Sequence, residues 1–309
     1  MNKLTKAGFA GLFLSLTAVL ASCGGSSTST TDTAAVSADV YPVTVGDLTL
    51  EAQPTSIISL SPSATEMLYA IGAGSQVVAV DEYSNFPAEA VALGTTLSGF
   101  EPNIEAISSY SPDLVIVSYD PGSLVEQLGT LNIPVFIAGA AMSLENVYEQ
   151  IEQLGVLTGH SQAAIEVSKT LQTGIEDAVA SVKFSEPPLS YYYELDNTYY
   201  SVSSNTFIGQ IFNLFGMRNI ADNVEAGNDY PQLSAEVIVS SDPDFIFLAD
   251  TKCCAQDATT VAARDGWGGL KAVTANQVVE LDDDVASRWG PRVLDLITSI
   301  RDAVAAVNS

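Results

Sequence analysis

Short apolar runs rich in β-branched residues recur along the chain, and segments with helical spacing separate them. They predict strands at Ile57–Leu60, Val77–Val80, Leu114–Val117, Val135–Ala138, Leu189–Glu194, Phe245–Leu248 and Val278–Leu281. Strands that alternate with helices favour parallel sheets covered by helices on both faces. The pattern therefore predicts an α/β protein.

Polar and conformationally special residues mark the predicted helix ends. Ser61–Ser63 opens a helix, and Ser63 and Glu66 have the spacing of a capping box. Gly72 follows its last apolar residue and is expected to end it. Further elements are predicted as helices over Phe207–Phe215 and Val293–Val307 and as a hairpin over Tyr41–Glu51.

The middle of the chain predicts a helical linker between two halves. Apolar residues recur at helical spacing from Ala164 to Val182, and Pro187 and Pro188 stop the pattern. At 1.5 Å per residue, a helix over Gln162–Lys183 is roughly 33 Å long. We expect two Rossmann-like lobes with central, mostly parallel sheets, joined by one long linker helix. The expected bounds are 41–142 for the N-terminal lobe, 143–187 for the linker and 188–309 for the C-terminal lobe.

One helix-to-strand joint occurs in both halves of the sequence. Residues 104–120 read IEAISSYSPDLVIVSYD, and residues 234–250 read SAEVIVSSDPDFIFLAD. The matching pairs are Glu105 and Glu236, Ser109 and Ser240, Pro112 and Pro243, and Asp113 and Asp244. A helix N-terminus favours a glutamate, but this preference does not explain why both glutamates occupy the same joint.

The first residues have the pattern of a secretory signal. A basic start precedes a mostly apolar run over Ala7–Leu20, which is too short to span a membrane. Small residues then precede Cys23, as in the bacterial lipobox, which this segment resembles. We expect residues 1–22 to be a lipoprotein signal peptide, Cys23 to be lipidated, and residues 23–40 to form a flexible tether. The alternative is a plain secretory signal with a chance cysteine.

The charge of the chain excludes one class of partner. Its formal net charge is −26, and no Lys or Arg occurs from residue 7 to residue 168. Nucleic-acid binding depends on cations that neutralise phosphates. We therefore expect no nucleic-acid partner and interpret the acidity as a source of solubility.

Few residues favour catalysis or a metal site. His160 is the only histidine, and it follows Gly159 at a predicted helix break, where a capping role is the simpler interpretation. A Ser-His-Asp hydrolase would depend on it, and zinc sites use several His or Cys ligands. We expect no catalytic residue, no metal site and no cofactor.

Cys253 and Cys254 are the only cysteines after Cys23. Neighbouring Cα atoms lie about 3.8 Å apart, whereas relaxed disulfides favour about 4.4–6.8 Å. Two interpretations remain open: a strained vicinal disulfide or two reduced thiols in a loop.

Aromatic residues gather where predicted strands end, and the carboxyl ends of strands form the ligand crevice of open α/β sheets. The aromatic candidates for ligand binding are Tyr83, Phe100, Tyr119, Tyr200, Tyr230 and Trp289. Tyr191 and Tyr193 are expected in the core instead. Arg288 and Arg292 lie close to Asp284 in a chain with few cations, which indicates a polar cluster or a helix-start salt bridge.

Three segments resemble the periplasmic binding proteins for cobalamin and ferric siderophores. They read PTSIISLSPSATEMLYAIGAGSQVVAVDEYSNFP, NIEAISSYSPDLVIVS and YPQLSAEVIVSSDPDFIFL. The resemblance runs from about Pro54 to the C-terminus. It implies a ligand held between two lobes and delivered to an ABC permease dimer with its ATPase subunits. A monomeric protein outside the cytoplasm, held to the membrane only by its lipid anchor, is expected.

The resemblance also assigns residues. Glu105 and Glu236 match the glutamates that dock on arginines of the permease in the cobalamin importer. Tyr83, Tyr230, Asp284 and Arg288 match cobalamin contacts. Gly99 and Ser118 replace two tryptophans of the cobalamin protein, and the neighbouring Phe100 and Tyr119 are expected to substitute for them.

The ligand itself stays open between cobalamin, a ferric siderophore and haem. A ferric siderophore would place anionic groups against Arg288 and Arg292, and haem would take a tyrosine ligand. Two other classes of function are an extracytoplasmic enzyme on this fold and a surface sensor without a transporter.

Overall fold

Two parallel four-stranded sheets form the body of the protein. The structure is a computed structural model that describes residues 39–307, and these belong to one compact unit, Ala38–Ser309. The predicted signal peptide, Cys23 and nearly all of the predicted tether lie outside the described residues.

The first half of the unit holds the hairpin and the first sheet. Its elements are β1 (Val43–Val45), β2 (Leu48–Leu50), β3 (Ile57–Leu60), α1 (Pro62–Ala70), β4 (Val77–Val80), α2 (Ala88–Val91), α3 (Ile104–Ser109), β5 (Leu114–Val117), α4 (Leu124–Gly129) and β6 (Val135–Ile137). The first sheet has the order β4-β3-β5-β6, and all of its strands are parallel.

A helical segment follows, and then the second sheet. The elements are α5 (Leu144–Thr158), α6 (Ser161–Ala180), β7 (Ser190–Glu194), α7 (Phe207–Asn213), β8 (Arg218–Asn219), α8 (Ala235–Ser241), β9 (Phe245–Leu248), α9 (Ala258–Ala262), α10 (Lys271–Thr274), β10 (Val278–Glu280), α11 (Asp283–Ser287) and α12 (Val293–Val307). The second sheet has the order β10-β9-β7-β8 and is also parallel.

The two sheets have the same topology. In each sheet the first strand lies between the second and the third, and the fourth follows the third at the edge. Helix α3 leads into the third strand of the first sheet, and α8 leads into the third strand of the second. The repeated joint in the sequence is therefore the same structural position in both sheets.

The strand predictions are confirmed to within one residue at each end. The four residues of β3 and the five of β7 are all buried, as expected for central strands of a covered parallel sheet. Tyr191 and Tyr193 are fully buried, and Tyr191 stacks on Phe212 at a centroid distance of 4.1 Å. The prediction that these tyrosines belong to the core is confirmed.

The predicted capping box at Ser63 and Glu66 is wrong. Ser61 is the N-cap of α1, and its side chain accepts a hydrogen bond from the backbone N–H of Ala64. Pro62 occupies the first turn, where its fixed φ angle suits a helix start and its missing N–H costs nothing. The helix therefore begins before Ser63, and Glu66 is free to bind elsewhere.

The segment between the sheets is a pair of packed helices. Gly159 ends α5 in the left-handed conformation at φ 78°, which favours glycine, and α6 begins two residues later. Helix α6 has 20 residues and packs against both α5 and α12. His160 is the N-cap residue of α6, and its Nδ1 lies 2.9 Å from the carbonyl oxygen of Thr158.

Candidate functional site

A cavity of about 600 Å³ opens where the strands of the first sheet end. This volume is within the range of about 300–1,000 Å³ that is typical of small-molecule pockets. Its lining from the first half comprises Leu60, Ser61, Pro62, Ser63, Asp81, Tyr83, Gly99, Phe100, Ser118, Tyr119 and Ala140. The second half contributes Asp284, Ser287, Arg288 and Trp289. The cavity therefore lies between the two halves, at the carboxyl ends of β3, β4 and β5.

Three predicted aromatic residues form one wall of the cavity. Tyr83 and Phe100 meet edge to face at a centroid distance of 5.6 Å, and Phe100 and Tyr119 are 6.4 Å apart. Their exposed fractions are 54%, 63% and 42%. Large aromatic side chains that stay this exposed leave apolar area available to a ligand.

Arg288 also lines the cavity, and its charge is compensated. It is only 8% exposed. Its Nη1 donates to Glu66 at 2.8 Å, and its Nη2 donates to the Tyr83 carbonyl at 2.8 Å and to Asp284 at 2.7 Å. Asp284 also accepts from Asn85 and Lys252. The guanidinium is thus a structural bridge between the two halves as well as a lining residue.

Both arginines converge on one buried carboxylate. Glu66 in α1 is 3% exposed and accepts from Arg292 Nε at 2.9 Å and from Arg292 Nη2 at 2.5 Å. The Arg292 guanidinium also lies 4.2 Å from the centre of the Phe86 ring. The predicted polar cluster exists, but its centre is Glu66, which the sequence pattern assigned to a helix cap.

Arg292, a predicted ligand-binding residue, lies outside the cavity lining. Its guanidinium is held by Glu66 and Phe86, and Arg292 is not among the residues around the cavity. Tyr200 and Tyr230 are 41% and 57% exposed and lie outside the cavity lining as well. Of the nine predicted ligand-binding residues, the cavity brings together Tyr83, Phe100, Tyr119, Asp284, Arg288 and Trp289.

Asp81 is a lining residue that the sequence reasoning missed. It directly follows β4, is 4% exposed, and its Oδ1 has no hydrogen-bond partner within residues 39–307. Burial raises the pKa of its carboxyl above the usual value, and Glu82 adds to this effect, while Ser84 and Arg288 oppose it. Its place immediately after a predicted strand was the signal that could have identified it.

Cys253 and Cys254 are free thiols in the structure, so the disulfide alternative is not the one observed. Desolvation and the neighbouring Cys254 thiol raise the pKa of Cys253 to about 12. The Cys253 backbone N–H donates to Asp283 at 2.8 Å. The pair belongs to a loop that Asp283 fixes beside α11, and neither cysteine lines the cavity.

Three of the four matched pairs in the repeated joint have a structural role within the fold. Ser109 donates to Ala106 O, and Ser240 donates to Val237 O. Asp113 accepts from the backbone N–H groups of Thr55 and Ser56, which lead into β3. The proline at each joint lies between helix and strand, where it cannot continue the helix.

Asp244 does for the second sheet what Asp113 does for the first. It accepts from the backbone N–H and the hydroxyl of Ser190, at the start of β7.

Glu105 and Glu236 differ from the other repeated residues. Both are exposed in the first turn of their helices, and among the described residues neither side chain has a hydrogen bond or an ion pair.

Two further features concern metals and membranes. Within residues 39–307, no group of three or more His, Cys, Asp or Glu side chains is arranged to hold a metal ion. In the same part of the chain, no helix combines the length and the apolar character that a membrane span requires.

The model of the family named periplasmic binding protein matches residues 57–285 of the chain. The chain therefore belongs to this family. The match includes both sheets and all strands from β3 to β10. It confirms the resemblance drawn from the strand, helix and joint motifs.

Relatives and a solved structure agree with the family. The chain is 28% identical to the uncharacterized ABC transporter substrate-binding lipoprotein YvrC of Bacillus subtilis, over 97% of each chain. It is 30% identical to a cobalamin-binding protein of Halobacterium salinarum, over 85% of this chain and 74% of that protein. The periplasmic vitamin B12 binding protein BtuF of Vibrio cholerae superposes with a TM-score of 0.69 at 26% identity, covering 83% and 98% of the two chains.

Proposed function

We propose that the protein captures a metal-chelate nutrient of the cobalamin class in the cavity between its halves and delivers it to an ABC permease. It acts as a monomer outside the cytoplasm, held to the membrane by a lipid on Cys23, and it carries out no covalent chemistry on its ligand. The name of the Bacillus relative supports the transporter and the anchor. The Halobacterium relative supports the ligand class.

The aromatic wall is the observation that carries the ligand proposal. Tyr83, Phe100 and Tyr119 offer a broad apolar surface at the mouth of the cavity. A flat ring system gains dispersion and hydrophobic contact from such a surface. The corrin ring of cobalamin and the porphyrin of haem both have this shape.

The polar side of the cavity favours an uncharged ligand. Three acceptors, Glu66, Asp284 and the Tyr83 carbonyl, engage the Arg288 guanidinium. An anionic ferric siderophore would have to break this bridge or be bound without a free cation. Cobalamin carries amide groups around its ring and does not need one.

Haem is the second candidate, because the hydroxyls of Tyr83 and Tyr119 have no hydrogen-bond partner within residues 39–307 and both residues line the cavity. A tyrosine at this wall can serve as an axial iron ligand. The compensated state of Arg288 counts against the propionates of haem.

Glu105 and Glu236 are the proposed docking residues for the permease. They occupy equivalent positions in two sheets of the same topology, and no internal contact accounts for either of them. A dimeric permease presents two equivalent surfaces, so a matched pair of carboxylates is what such a partner requires. Arginines are the expected counterparts.

Calorimetry on residues 24–309 tests the ligand. Cyanocobalamin, a ferric hydroxamate, a ferric catecholate and haemin are titrated in turn, and tight one-to-one binding of cyanocobalamin is expected. Phe100→Ala should weaken it roughly tenfold through lost aromatic contact. Phe184→Ala, which removes an exposed ring away from the cavity, should leave it unchanged. Binding of haemin or an iron chelate instead of cyanocobalamin would refute the ligand class.

The docking proposal needs a separate test. Glu105→Arg combined with Glu236→Arg should abolish stimulation of the permease ATPase and leave ligand affinity intact. The control is Glu152→Arg combined with Glu176→Arg, which reverses two exposed charges on α5 and α6. Equal stimulation by both double variants would show that the repeated glutamates do not dock.

A further inference from the structure

Asp81 is a buried carboxyl that lines the cavity without a full set of partners. Its side chain lies at the carboxyl end of β4, and its Oδ1 is unpaired among the described residues. A buried polar group without a partner lowers stability, so its presence in a ligand cavity calls for an explanation. A partner supplied by the ligand is the simplest one.

Gly99 lies directly against this carboxyl. A Cβ atom at position 99 would lie 3.0 Å from Asp81 Oδ2 and 3.0 Å from the Leu60 carbonyl oxygen. All three residues line the cavity. Any side chain at position 99 would therefore press on both oxygens and displace the Asp81 carboxyl.

Backbone conformation does not account for this glycine. Gly99 is absent from the glycines with positive φ, so its conformation is open to other residues. Its effect is to let two acceptor oxygens, Asp81 Oδ2 and the Leu60 carbonyl oxygen, lie close to the backbone at the cavity lining.

The nearest cation cannot serve as the missing donor. Arg288 donates instead to Glu66, Asp284 and the Tyr83 carbonyl. The cavity lining therefore combines a buried carboxyl that has an unpaired oxygen with a cation that is already paired. This combination attracts N–H and O–H donors and repels carboxylates.

We propose that Asp81, which lies against Gly99 in the cavity lining, accepts hydrogen bonds from a primary amide of the ligand and selects amide-bearing ligands against carboxylate-bearing ones. This inference rests on the proposed function for the identity of the ligand. It adds a specificity residue to that site and explains why position 99 has no side chain. A carboxylate in place of the amide would meet Asp81 as a like charge.

The test uses two variants with matched controls on residues 24–309. Asp81→Asn removes the charge and keeps the shape, and its control is Glu82→Gln, which removes the charge of the exposed neighbour. Gly99→Ala places a Cβ against the carboxyl and displaces it, and its control is Gly139→Ala, where a Cβ meets only an ordinary contact at 3.9 Å. Each protein is titrated with cyanocobalamin and with its separated monocarboxylic acids, in which one amide is hydrolysed.

Asp81→Asn and Gly99→Ala should each weaken cyanocobalamin binding by roughly tenfold or more, and the controls should stay within about twofold of the wild type. At least one monocarboxylic acid should bind the wild type more weakly than the parent compound, and Asp81→Asn should remove that difference. The melting temperature of Asp81→Asn should equal or exceed the wild-type value, because a buried unpaired charge is removed. Lost affinity would then not reflect unfolding.

Cyanocobalamin affinity unchanged in Asp81→Asn, or equal wild-type affinity for every monocarboxylic acid, would overturn the inference. A wild type that binds haemin or an iron chelate but not cyanocobalamin refutes the proposed ligand class separately. The same four variants are then titrated with that compound. A loss specific to Asp81→Asn and Gly99→Ala would support a donor-binding role for Asp81, and equal affinities would refute it.

Discussion

Glu66 is the side chain through which the two halves of the protein are joined electrostatically. It belongs to α1 in the first half, and both of its arginine partners come from the second half. The pair with Arg288 spans 222 positions of the chain. Because Arg288 also lines the cavity, Glu66 fixes part of the site as well as the contact between the halves.

Glu66→Ala should destabilise the protein by about 3–5 kcal/mol, since it leaves two partly buried guanidinium groups without their shared carboxylate. Urea unfolding at neutral pH measures the loss. Glu152→Ala, on the exposed face of α5, is the control and should stay within about 0.5 kcal/mol of the wild type. A loss below about 1 kcal/mol for Glu66→Ala would mean that the cluster contributes little to stability.

The buried carboxyl of Asp250 is expected to make the free energy of unfolding depend on pH. It is fully buried after β9, and neither of its carboxylate oxygens has a hydrogen-bond partner in the described part of the chain. Burial, and then the negative charge of Glu194, raise its pKa to about 7. The unfolded chain releases this proton at a lower pH than the folded protein does, so Asp250 makes stability fall as pH rises from about 4 to about 7.

Asp250→Asn should remove this contribution. We expect the variant to gain stability relative to the wild type at pH 7.5 and to lose that advantage as pH falls to about 3, where the wild-type carboxyl is mostly protonated in both states. Thermal melts across this range measure the difference between the two proteins. A difference that stays constant with pH would contradict the assigned protonation of Asp250.

Among the secondary-structure elements, the joints α3–β5 and α8–β9 are the clearest repeated unit. Each contains a helix with an Asn or Ser N-cap, a Pro-Asp pair and a strand beside the central strand of its sheet. In each joint the aspartate binds backbone N–H groups that lead into the central strand. The repeat thus fixes how a helix, the strand that follows it and the neighbouring central strand are arranged.

Asp113→Asn should destabilise the first sheet by about 1 kcal/mol, because the amide cannot accept from Thr55 and Ser56 as a carboxylate does. The hydrogen bonds from Thr55 lower the pKa of Asp113. Its contribution is therefore present above the ordinary aspartate pKa and disappears as pH falls towards the lowered value. Urea unfolding of the variant and the wild type should therefore show a larger loss of stability at pH 7 than at pH 3. A loss that is equal at both pH values would contradict the role of the Asp113 charge.

For the molecule as a whole, the helices between the sheets limit how far the halves can move. Helix α6 packs against α5 and α12, and Arg288 bridges the halves at the cavity. A wide hinge motion would have to break these contacts, whereas a small rocking motion would not.

Small-angle scattering tests this expectation. The radius of gyration of residues 24–309 should change by less than about 1 Å when a saturating ligand from the calorimetric panel is added. The comparison with Glu66→Ala serves as a control, because loss of the bridge should permit a larger change. A marked compaction of the wild type on binding would show a wide hinge.

Much of the fold could be predicted because its determinants are local. The apolar runs predicted seven of the eight strands in the two parallel sheets to within one residue, but not β8, and the helix break at Gly159 was visible from the glycine itself. The aromatic wall was also predictable, since Tyr83 follows one strand and Phe100 and Tyr119 lie on loops around the next, and the carboxyl ends of these strands meet at one edge of a sheet.

The surroundings of Arg292 could not be predicted from nearby residues. Arg288 and Arg292 lie four positions apart and looked equivalent in the sequence, yet Arg288 lines the cavity and Arg292 lies against Phe86. The same limit applies to Glu66, whose capping-box spacing was satisfied in the sequence but whose partners are distant. The neighbours of a residue across the cavity depend on how the two halves pack. Patterns among nearby residues do not predict that packing.

The amino-acid order thus defined most of the strands, the helix break at Gly159, the repeated joint and the family resemblance, because backbone conformation depends on nearby residues. Only the folded chain decided which charged groups are paired, that Cys253 and Cys254 are free, and that Gly99 lies against the Asp81 carboxyl. These features depend on distances of a few ångströms between segments far apart in sequence, where burial and pairing set the energy of each charge.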